Sequence, residues 1–221
     1  MSESTTLQRM DSPTRPAEFD GPFLDVVRAV IRRSYELAKD HYDPDIGVDG
    51  QIFAFAVYKI AARQFEIELA SVPDATITWN GRGREIVRGG KRLRWNKVGT
   101  SRKDAIDTSF PSRSRSAAAM AEANAEQLDL GFGEAEPVNW IIAHLGNPAD
   151  GLCALYLAAP IESRGGQVTG WQRWIPIFDI NRPDDGFPVL PAPGSLEPLP
   201  ADLGALELDL FDETDEDTQR G

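Results

Sequence analysis

Residues 138–160 read Val138-Asn139-Trp140-Ile141-Ile142-Ala143-His144-Leu145, then Gly146-Asn147-Pro148-Ala149-Asp150-Gly151, then Leu152-Cys153-Ala154-Leu155-Tyr156-Leu157-Ala158-Ala159-Pro160. The middle six residues are turn formers, so the runs on either side read as two strands joined by a tight connection. Leu152–Leu157 shows almost no polar alternation, as expected of a central strand covered on both faces. Downstream, Trp171–Ile180 reads as another strand. The chain therefore carries a sheet in its second half.

Upstream of this stretch the apolar period is 2 between residues 75 and 96. Ala75–Trp79 is β-rich and stops at Asn80-Gly81, a tight-turn signal, and Arg84–Val87 and Lys91–Asn96 follow, joined through Gly89-Gly90. In Lys91-Arg92-Leu93-Arg94-Trp95 the alternation puts Leu93 and Trp95 on one face and most of the charge on the other. Before residue 70 the period is helical. Gly21-Pro22 opens a helix with Phe23, Val26, Val27, Val30, Ile31 and Leu37 on its stripe, running to about Lys39. Asp49 can cap a second, with Phe53, Val57, Ile60, Ala61 and Phe65. Their stripes predict an antiparallel pair. The fold class is α+β: that helix pair packed on a mostly antiparallel sheet of about six strands. Residues 20–182 form the domain, interrupted by a long insertion or loop at 100–136 that holds a short Ala-rich helix near 117–126. Ser/Thr/Pro-rich residues 1–19 and the Pro-rich, then acidic, residues 183–221 read as disordered.

The chain has 221 residues, 41% apolar and 26% charged, an ordinary globular composition. No apolar run approaches the ~20 residues of a membrane helix, and residues 1–18 lack the apolar core of a secretory signal. A single cysteine, Cys153, excludes an internal disulfide, so a cytoplasmic protein is expected. The net charge of −12 disfavours indiscriminate nucleic-acid binding by the whole molecule. The charge is sorted, however. From Arg82 to Arg115 there are eleven bases and three acids, a net of +8, whereas Pro183–Gly221 carries eleven acids and one base, a net of −10. Sorting of this kind marks interaction surfaces of opposite sign.

Catalytic signals are weak. His41 ends a helix, His144 lies in an apolar strand and Cys153 sits in the most apolar strand, all readable as structural. No metal-ligand spacing, phosphate-binding loop or complete calcium loop is present, and neither a cofactor nor a catalytic residue is assigned. The basic segment supplies candidate nucleic-acid contacts at Arg82, Arg84, Arg88, Lys91, Arg92, Arg94 and Lys97, with Trp79 or Trp95 available for base stacking. The same pattern also suits a solvated sheet face, or a patch neutralised by the acidic tail.

Two peptides are more specific. Gln127-Leu128-Asp129-Leu130-Gly131-Phe132 resembles, at every defined position, the six-residue docking motif read by bacterial sliding clamps: glutamine, leucine, any residue, leucine, any residue, phenylalanine. Glu207-Leu208-Asp209-Leu210-Phe211 resembles the five-residue form, with Glu207 where that form has glutamine. The resemblance covers 11 residues of the chain and is silent on the fold. It implies that Leu130 with Phe132, or Leu210 with Phe211, enters an apolar cleft on the clamp, and that Gln127 hydrogen-bonds at a polar subsite. Burying a Leu or Phe yields about 1.5–3 kcal/mol, enough to offset ordering a short peptide, and two motifs on one chain can engage two clefts of a ring. Read without a partner, Gly131 is a helix stop with Phe132 folded back on Leu128, and the tail leucines form an amphipathic acidic segment.

The function expected from these features is a non-enzymatic accessory protein that docks on the bacterial sliding clamp and contacts DNA through its basic hairpin. Two alternatives are one component of a toxin–antitoxin or phage-defence module, binding a cognate basic partner, and a hydrolase or nuclease with carboxylates converging near His144.

Overall fold

The computed structural model describes residues 16–79, 83–100, 115–129 and 137–180. Two helices come first, α1 (Gly21–Asp40) and α2 (Gly50–Glu68). Strands β1 (Ala75–Trp79), β2 (Arg84–Arg88) and β3 (Lys91–Gly99) follow, then helix α3 (Arg115–Asp129) and strands β4 (Asn139–Asn147), β5 (Gly151–Arg164) and β6 (Gln167–Asp179). The strands form one sheet in chain order, β1-β2-β3-β4-β5-β6. Every neighbouring pair is antiparallel except β3 and β4, which run parallel.

The helix starts are capped as their sequences require. The Asp20 carboxylate accepts the Phe23 amide at 2.9 Å, with Pro22 in the first turn. The Asp49 carboxylate accepts the amides of Gln51 and Ile52. α1 and α2 bury Phe23, Val27, Val30, Ile31, Tyr35, Phe53, Val57 and Phe65 against Ile86, Leu93, Trp95, Trp140, Ile142, Leu155 and Leu157. This is the expected helix pair on a mostly antiparallel six-stranded sheet.

The parallel β3–β4 pair gives the connection expected at 100–136 a structural role. Parallel strands cannot be joined by a tight turn and need a crossover. α3 provides it, packing Ala117, Met120 and Ala121 on Ile141, Ala143, Leu145, Ala154, Ala158 and Val168. Odd and even residues of β4 thus enter different cores. Helices cover both faces of the sheet there, which is why β4 and β5 carry near-continuous apolar runs.

α3 is held by one polar residue in its Ala-rich face. The fully buried Asn124 amide donates to the carbonyls of Asn139 (2.9 Å) and Pro160 (2.8 Å), and its Oδ1 accepts the Asn139 backbone amide (3.1 Å) and side-chain amide (3.0 Å). It ties the helix to the start of β4 and to β5.

The domain boundary expected at residue 19 falls inside packed chain. Phe19 is fully buried, stacked on Phe23 at 5.9 Å and edge-on to Trp140 at 5.2 Å. Residues 1–15 and 183–221, expected as disordered, lie outside the described residues, as do the Asn80-Gly81 turn, Arg82, and residues 101–114 and 130–136. No helix among the described residues is long and apolar enough to cross a membrane.

Candidate interaction site

The strand alternation that separates Leu93 and Trp95 from Arg92 and Arg94 is present, and Leu93 and Trp95 are buried. The charged side is less open than the alternation implies. Arg94 is buried together with Glu85, its Nε 3.6 Å from that carboxylate, and Arg92 pairs with the other Glu85 oxygen at 3.2 Å. Register explains this, because Ile86 faces Leu93 and Val87 faces Arg92, which turns Glu85 to the side that carries the arginines. Lys91 shares the alternation of Leu93 and Trp95 and is buried as well.

The other candidate cations also have acid or aromatic neighbours. Arg88 makes a two-pronged pair with Asp20 (3.0 and 2.9 Å) and lies 4.9 Å from the Phe23 ring centre. Asp20 therefore caps α1 and ties it to β2. Arg84 pairs with Glu66 of α2 at 3.1 Å, and the Lys97 ammonium lies 5.9 Å from the Phe53 ring centre. The sequence net of +8, in which Glu85 is already counted, is thus further neutralised inside the fold by Glu66 and Asp20, both of which lie outside the basic segment in sequence. Among the described candidates, Arg84 and Arg92 keep substantial side-chain exposure, 38% and 52%. The two tryptophans separate cleanly: Trp95 is covered by Tyr58 and Phe65, whereas Trp79 at the end of β1 is 70% exposed.

The first clamp-like peptide begins inside α3. Gln127, Leu128 and Asp129 belong to its last turn. Gln127 is partly exposed, yet its Oε1 is covered and has no hydrogen-bond partner. Leu130 and Phe132 of the first peptide, and Leu208, Asp209, Leu210 and Phe211 of the second, lie outside the described residues.

His144 is a buried polar residue on the helix-pair face. Its Nδ1 lies 2.9 Å from the Tyr35 hydroxyl, and in either tautomer the buried Nε2 has no hydrogen-bond partner. Burial, reinforced by the Lys97 charge on the neighbouring strand, lowers its pKa to about 3. Burial likewise raises the Tyr35 pKa, so both groups are neutral across the physiological range. No hydrogen bond or ion pair between His144 and a carboxylate is found among the described residues. His41 caps the end of α1, and Cys153 is buried with its thiol 3.8 Å from the Gly151 carbonyl. Among the described residues no group of three His, Cys, Asp or Glu side chains is placed to hold a metal ion.

The Tyr35–His144 bond and the Asn124 staple escape sequence reading. Their partners are 109 and 36 positions away at most, and neither residue type signals its contact. No family model matches this chain, and neither a curated protein nor a solved structure does.

Proposed function

We propose that this chain is a non-catalytic accessory protein that docks on the bacterial sliding clamp through Gln127–Phe132 and touches DNA beside its β1–β2 hairpin. The observation that carries the reading is the six-residue peptide itself, which satisfies every defined position of the motif. Its location supports the idea, since the peptide starts in the last turn of α3, which ends at Asp129. Gln127 brings a side-chain carbonyl with no hydrogen-bond partner, so leaving the body of the protein breaks no hydrogen bond of that atom. Docking requires the last turn of α3 to open, while Asn124 holds the preceding turn.

Glu207–Phe211 is the second contact in this reading. With Glu207 in place of glutamine it is the weaker of the two, and its value lies in raising the local concentration of chain at a multi-cleft ring. The test is capture of the full chain by purified bacterial clamp. Leu130→Ala with Phe132→Ala should abolish capture through the first peptide, while Leu210→Ala with Phe211→Ala should weaken it. Capture indifferent to the first pair would remove the reading. Growth arrest on expressing the chain alone, relieved by a basic partner protein, would favour the two-protein module instead.

A further inference from the structure

We propose that Trp79, with Arg84 and Arg63, forms a stacking and phosphate-contact site for single-stranded DNA at the outer end of the β1–β2 hairpin. Trp79 is a large aromatic side chain left 70% exposed on a five-residue edge strand. The strand itself explains its direction. Ala75 and Ile77 pack against the helix-pair core, and Trp79 continues their row without joining that core. Packing therefore does not account for the indole at this position.

Its neighbours have the charge that a polynucleotide needs. Trp79 stands directly opposite Arg84 in the β1–β2 register, a spacing at which side chains on one face touch. Arg84 reaches Glu66 at 3.1 Å, and the other oxygen of that same carboxylate takes Arg63 at 3.2 Å. Two guanidiniums thus share one carboxylate, leaving a net positive charge beside the exposed ring. Both are accessible, with side-chain exposures of 61% for Arg63 and 38% for Arg84. A phosphodiester can take the Arg hydrogen-bonding positions that the shared carboxylate does not saturate, while the indole face receives a base. Any base offers a π-face, so this arrangement favours single strands over duplex and is indifferent to sequence.

Eleven of the acids behind the net charge of −12 lie in Pro183–Gly221, so the remainder of the chain is close to neutral. Burial of Trp95 excludes the second tryptophan of the hairpin region from this role.

The inference rests on the proposed chromosomal role only for the choice of DNA over RNA, and its test contains no clamp, so the two can fail separately. The full chain is titrated into a fluorescent oligothymidylate of roughly 16 nucleotides, about one site size, and anisotropy is read. Trp79→Ala should weaken binding about tenfold, and Trp79→Phe should restore part of it, as loss of one base stack requires. Arg84→Gln should lower the slope of log affinity against log salt, because one fewer phosphate contact releases fewer counterions. An unchanged thermal midpoint for Trp79→Ala shows that the fold is intact, and should it move, Trp79→Phe carries the comparison. Failure of the native chain to bind at low salt, or equal binding by Trp79→Ala, would overturn the site. Equal binding of duplex of the same length would reduce it to a phosphate surface and overturn the stacking claim. Tighter binding of oligouridylate would overturn the assignment to DNA.

Discussion

Replacing Asn124 by Ala should cost this fold about 3–4 kcal/mol, a large share of a typical domain's stability. The figure comes from what the amide does. Its Nδ2 donates to two carbonyls and its Oδ1 accepts two N–H groups, all between 2.8 and 3.1 Å and within a buried site. Alanine removes one partner from each bond and leaves the Asn139 amide and the Asn139 and Pro160 carbonyls in place. A net loss near 1 kcal/mol per neutral hydrogen bond gives the total, with unsatisfied buried groups raising it and entry of a water lowering it. Asn124→Asp is the sharper variant, since a carboxylate matches the amide in size but cannot donate to the two carbonyls. It should destabilise at least as much as Ala at neutral pH. Urea unfolding followed by tryptophan fluorescence reads both changes as a fall in the midpoint at constant slope. A loss under ~1 kcal/mol for both variants would refute the idea that this staple fixes α3.

Two further outcomes follow from the buried Tyr35–His144 pair and the turn beside it. His144 titrates near 6.5 when unfolded and at about 3 in the fold, so its contribution is intact above 6.5 and is lost as pH falls towards 3. Between pH 6.5 and 5 the loss should reach about 2 kcal/mol, and His144→Gln should flatten that part of a stability–pH profile. At Gly146, a Cβ would sit 2.3 Å from the Gly151 carbonyl oxygen and 2.4 Å from Tyr35 Cε1. Gly146→Ala should therefore destabilise by roughly 3 kcal/mol or more, seen as a lowered thermal midpoint, whereas Gly90→Ala meets no neighbour and should show only the strain of its φ of +78°.

Much of this architecture is written in local signals. Asp20, Pro22 and Asp49 mark the helix starts because unpaired amides there must find an acceptor or be removed. Period-2 alternation marks Leu93 and Trp95 as core, and the unbroken apolar run of Leu152–Leu157 marks a strand covered twice. The parallel β3–β4 pairing is not legible in the same way. Alternation is identical for parallel and antiparallel neighbours, and direction is set by the crossover through α3. Pairing also decides which charges are free. Glu66 comes from another helix and Glu85 meets Arg94 only through register, so counting arginines along the chain overstates the open positive surface. The proposed docking site is legible to the extent that a linear motif is one, because its chemistry lies in contiguous residues rather than in folded geometry. The proposed Trp79 site draws on both: alternation separates Trp79 from Thr76 and Thr78, and only the fold shows that Trp79 stays outside the core its row joins.

The docking claim is tested most directly by calorimetric titration of purified clamp with the full chain, repeated after saturating the clamp with a synthetic peptide spanning Gln127–Phe132. Binding of the chain that the peptide blocks, and that Leu130→Ala with Phe132→Ala removes while Asp129→Ala leaves largely intact, is the expected result. Binding that persists undiminished on peptide-saturated clamp, or heat that is absent from the outset, would contradict it.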